Sequence, residues 1–90
     1  MAFKKMRGVK LPYKKQALIY YICINYKDLT DNVKEKIDSI CKDVSGDYYY
    51  NDLFYLITTG KSVRTVAMER HISETVLYEL RGKFYESWGK

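Results

Sequence analysis

Histidine is nearly missing from this ninety-residue chain, which carries one, at position 71. A single imidazole excludes a two-histidine metal site and leaves no evident catalytic triad. Cysteine is scarce as well. Cys23 and Cys41 lack metal-ligand spacing and sit among apolar neighbours, so they read as buried, reduced thiols rather than a disulfide. Proline occurs once, at position 12, and no linker rich in Pro, Gly or Ser divides the chain. The longest apolar run, Ala17 to Ile24, falls far short of the roughly 20 residues that span a bilayer. No signal-peptide apolar core follows the basic N-terminus. Gly60-Lys61-Ser62 has the ending of a phosphate-binding loop, but the required upstream glycine is replaced by Tyr55. Those three residues read better as a helix stop followed by a helix cap. The expectation is a soluble, cytoplasmic protein with no membrane span, no metal, no cofactor and no enzymatic activity.

What is present is basic and aromatic. The net charge is +5, and residues 1–15 carry Lys4, Lys5, Arg7, Lys10, Lys14 and Lys15 without an acid. The middle of the chain is net negative and residues 61–90 are net positive. Basic charge at both ends suits a polyanionic partner. Ten tyrosines, three phenylalanines and one tryptophan exceed what a small core needs, so part of the excess fits an interface.

Periodicity predicts an all-α fold of about five helices in one domain, 12–90. Residues 1–11 show no period and read as a mobile basic arm. Such an arm is either a solvated tail or a segment that lies along phosphates or enters a minor groove. The first helix is predicted from Tyr13 to Leu29. Its wide apolar face is Ala17, Leu18, Ile19, Ile22, Cys23, Tyr26 and Leu29, which predicts a central position. A strand over residues 18–26 stays open on β-propensity. A second helix starts with Thr30 or Asp31 as cap, buries Val33, Ile37, Ile40, Cys41 and Val44, and stops at Gly46. Asp47 caps a third, Tyr48 to Thr58, with Leu53, Phe54, Leu56 and Ile57 as core and Gly60 as its end. Tyr48, Tyr49 and Tyr50 read as packing of this helix rather than a site.

The last thirty residues carry the motif whose spacing implies a task. Ser62 is a good N-cap for a short helix, Val63 to Arg70, in which Ala67 is small enough for a close helix crossing. After a turn at His71, Ser73 opens a helix to about Trp88, with Val76, Leu77, Leu80 and Phe84 at helical spacing. Leu77 and Leu80 fall where helix-turn-helix units place inward apolar residues. The run HISETVLYEL is similar to the opening of recognition helices in phage regulators and in region four of sigma factors. The segment 61–88 resembles small late-transcription regulators of Gram-positive phages, of the ArpU/RinA type. His71 departs from that pattern, which usually has Gly there. A left-handed turn residue other than Gly costs roughly 1–2 kcal/mol, although His is among those enriched in that conformation.

This resemblance implies a sequence-specific DNA-binding protein of a bacterial host cell, a phage-type transcription regulator with double-stranded DNA as partner. By facing and by resemblance, the base-reading candidates are Ser73, Glu74, Thr75, Tyr78 and Glu79. Lys61, Arg64, Arg70, Arg81 and Lys83 are the phosphate-contact candidates, and Gly82 leaves the groove wall unobstructed. Phe84, Tyr85 and Trp88 lie beyond the DNA, packed on the body or on a second subunit of a homo-oligomer. Two other readings stay open. One is the DNA-binding small subunit of a phage packaging terminase; the other is a protein-docking module acting on RNA polymerase, which Glu74 and Glu79 favour. The plain alternative is a pair of packed helices with no such role.

Overall fold

The computed structural model describes Phe3, Lys5, Met6 and residues 8–88. Every regular element among them is helical. Lys4 and Arg7 of the basic N-terminal segment lie outside the described residues.

Helix α1 spans Tyr13–Ile24, with Pro12 at its N-cap and the Gln16 amide bonded back to the Pro12 carbonyl at 3.1 Å. It ends earlier than the sequence predicts. Asn25 leaves helical geometry at φ −100°, and Tyr26–Asp28 form a 3-10 turn instead. The expected apolar face is also corrected. Ile19 and Cys23 are buried, but Leu18 is 60% exposed and the polar Gln16 takes a core position. Residues 16, 19 and 23 lie on one side of a 3.6-residue helix and residue 18 on the far side.

Helix α2, Asp31–Thr59, holds both the second and the third predicted helices. Gly46 interrupts it at φ 64°, ψ −175°, a conformation essentially restricted to glycine, and helix resumes at once on the other side. The sequence therefore locates the break correctly, while the described residues form four α-helices, because no connecting residues separate the two halves. Gly60 closes α2 in the left-handed conformation, φ 72°. A side chain there would meet Tyr20 Oη at 2.9 Å, so the glycine also permits close approach of α1.

Helices α3, Val63–Arg70, and α4, Glu74–Trp88, follow with a short turn between them. The core gathers Ile19 and Cys23 from α1, Ile37, Cys41, Leu53, Leu56 and Ile57 from α2, Val63 and Val66 from α3, and Leu77, Leu80, Phe84 and Tyr85 from α4. The α2–α4 contact is the most extensive, so α2 takes the central place that the sequence assigns to the first helix. Tyr48 does not pack as expected. It is 83% exposed and stacks edge-on against Tyr49, with ring centres 4.6 Å apart. No helix among the described residues is long and apolar enough to cross a membrane.

The predicted arm is anchored at several of its described residues, while Lys5, Gly8 and Lys10 stay exposed. Phe3 and Met6 are buried, and the Phe3 ring lies 5.1 Å from that of Tyr20. A segment without periodicity can still bury two large side chains, since an extended chain needs no repeat to do so.

Candidate nucleic-acid interface

The local geometry of 61–88 begins with a cap. Ser62 Oγ accepts from the Thr65 amide at 3.1 Å, satisfying a first-turn donor of α3. At the other end His71 adopts φ 58°, ψ 45°, and the Ile72 amide reaches back to the Ala67 carbonyl at 3.1 Å. That six-to-one bond after a left-handed residue is a Schellman-type stop, which turns the chain sharply. The Leu77 amide bonds to the Ser73 carbonyl at 3.2 Å, which puts Ser73 at the cap position of α4.

The two faces of α4 separate. Leu77 and Phe84 are fully buried, Tyr85 and Leu80 nearly so, while Val76 and Trp88 are half-buried. Ser73, Glu74, Thr75, Tyr78 and Glu79 are all exposed on the first turns. All five base-reading candidates are therefore accessible, Tyr78 and Glu79 bordering one groove and Ser73 another.

The phosphate candidates are less uniform. Arg64 and Lys83 are exposed and, among the described residues, carry no ion pair. Lys61 pairs with Glu69 at 3.0 Å, and its ammonium also donates to Tyr55 Oη. The bonds to Tyr55 and then Glu69 raise the Lys61 pKa, and those from Tyr55 and Lys61 lower that of Glu69. Arg70 lies 3.9 Å from Asp52 and stacks over the Tyr55 ring at 4.3 Å. Arg81 is half-buried, burial lowers its pKa, and its guanidinium sits 5.3 Å from the centre of the Tyr78 ring.

Two features of this surface are absent from the sequence reading. The N-terminal segment runs alongside α4, with the Lys10 amide donating to Glu86 at 3.2 Å. Gly82 consequently does not face open space. A Cβ there would lie 3.7 Å from Val9 Cγ2, and Gly8 and Val9 border a groove with Tyr78, Glu79 and Lys83. A second groove joins the start of α4 to α2, lined by Tyr48, Tyr49, Asp52, Arg70, His71 and Ser73. The signals for both were present but weak: a glycine inside a strong helical pattern, and a tyrosine triplet after a helix break. Among the described residues no group of His, Cys, Asp and Glu is arranged to hold a metal ion.

Comparison with protein-family models, with curated proteins and with solved structures finds no match for this chain.

Proposed function

We propose that this protein binds double-stranded DNA through α4, reading bases with the first two turns of that helix, as a phage-type transcription regulator would. The observation that carries the reading is the division of α4. Polar, exposed Ser73, Thr75 and Tyr78 lie at its start, directly after a capped eight-residue helix and a left-handed turn, while the opposite face is buried. A helix held this way can present the polar side of its N-terminal turns to a groove roughly 12 Å wide while Leu77, Leu80, Phe84 and Tyr85 anchor it to the core. Arg64 and Lys83 supply exposed positive charge for phosphates.

Retardation of DNA across a salt series tests the reading. Each phosphate contact adds a slope of about −0.9 in log K against log salt. Arg64 and Lys83 acting alone give a slope of roughly −2, and Lys61 and Arg70 bring it to roughly −4 if they exchange their acids for phosphates. Absence of binding at low salt rejects the proposal. It would favour the protein-docking reading, which Glu74 and Glu79 on the exposed face and the pairing of Lys61 and Arg70 support.

A further inference from the structure

We propose that the described part of the N-terminal segment, Phe3, Met6 and residues 8–11, is a fixed part of the same DNA-contact surface, set in register beside α4 by Gln16, and that it contributes to sequence discrimination. This inference rests on the DNA-binding reading above and goes beyond it.

Gln16 is, among the described residues, the polar side chain buried in the core, with no solvent exposure. Its Oε1 accepts from the Met6 amide at 2.8 Å, and its Nε2 donates to the Leu11 carbonyl at 2.9 Å and the Val9 carbonyl at 3.5 Å. One side chain thus fixes three main-chain groups of the segment. A buried amide is tolerated only when its hydrogen bonds are made, and here the segment itself makes them. The ends are held separately. Phe3 packs on Tyr13 and Tyr20 at one end, and the Lys10 amide bonds to Glu86 of α4 at the other.

The result is a strap from α1 across to α4. It forms one wall of the groove whose other wall holds Tyr78, Glu79 and Lys83. Lys10, next to that wall, is exposed. A free tail follows phosphates wherever they lie, and so adds equally to binding on any sequence. A fixed strap keeps its charge at a constant offset from the first turns of α4. It meets phosphates best when α4 sits in register on base edges, which happens only at the preferred site. Gln16 is accordingly a positioning residue.

The experiment uses the full chain. Fragments bound by the wild type are selected from a random pool, and affinities for the selected site and for random DNA are then compared in Gln16→Leu and Glu86→Ala. Both variants should lower the selected-to-random ratio by about tenfold, the scale of one lost specific contact. A merely destabilised fold would weaken both DNAs by the same factor and leave the ratio unchanged. Glu86→Ala adds a contrast of sign: by charge alone, loss of an acid strengthens binding to every DNA, whereas release of the strap lowers the ratio. If Gln16→Leu does not fold, Glu86→Ala, which leaves the Gln16 bonds intact, decides the matter. Faster exchange of the Met6 amide in Gln16→Leu reports release of the strap directly. A ratio that stays constant in the variants that fold overturns the proposal while leaving DNA binding in place. If the wild type retains no DNA, the DNA reading falls and this inference with it.

Discussion

At the scale of single residues, the two thiols show how burial becomes a pH effect. Cys23 and Cys41 are free, fully buried, and pushed by burial from an ordinary value of 9.0 up to about 12. A raised pKa on an acid means that the folded state holds its proton where the unfolded state has lost it. The stabilisation is therefore complete below pH 9 and falls as pH rises from 9 towards 12. The melting temperature should begin to drop just above pH 9. In a Cys23→Ala, Cys41→Ala double variant that onset should move upward; an identical onset would show that the thiols are not its source. The sequence made these cysteines legible because both fell on apolar stripes. Gln16 was not legible. Its polar side chain reads as surface, and only the chain folded over it supplies the partners that allow burial. Leu18 misled in the opposite sense, since α1 is apolar on several sides and hydrophobicity alone does not choose one.

At the scale of elements, glycines decide more than propensity does. The helix break was readable from Gly46 followed by Asp47, but whether a loop or a kink follows depends on how the two halves pack. Gly46 has open space around it, yet its φ of 64° with ψ of −175° excludes other residues on backbone grounds. Gly46→Ala should destabilise by about 1–3 kcal/mol through strain alone. Gly82 is the reverse case. It is helical, and a Cβ would make an ordinary 3.7 Å contact with Val9. Gly82→Ala should stabilise by up to about 1 kcal/mol, the helix-propensity difference. Chemical denaturation of the two single variants should give shifts of opposite sign. A loss at Gly82 would mean that α4 and the strap approach more closely than Val9 shows. The strap itself was out of reach of sequence reasoning, because its contacts join residues such as Lys10 and Glu86 that no local pattern connects.

At the scale of the whole molecule, the helices and the strap leave Thr75 and Tyr78 of α4 exposed while Leu77, Leu80, Phe84 and Tyr85 of the same helix are buried, so one helix contains two kinds of position. Thr75 is exposed and Leu80 and Phe84 are buried. Thr75→Ala should leave the melting temperature nearly unchanged, within the roughly ±0.5 kcal/mol usual for surface sites. It should cost about 1–3 kcal/mol at a selected DNA site if a base contact is lost. Tyr78→Ala should behave similarly in binding, with an added stability cost of about 0.5–1 kcal/mol from the stacked Arg81. Leu80→Ala or Phe84→Ala should instead destabilise by roughly 2–5 kcal/mol, because each empties volume in the buried core. Their binding should fail only in proportion to the unfolded fraction, and ligand-free thermal melts beside binding at low temperature separate the two effects. A Thr75 variant that melts early, or one that binds a selected site as the wild type does, would mean that the first turns of α4 do not read bases. The reading rests on that asymmetry: a helix buried on every side reads nothing, and one exposed along its whole length could not be held still enough to read.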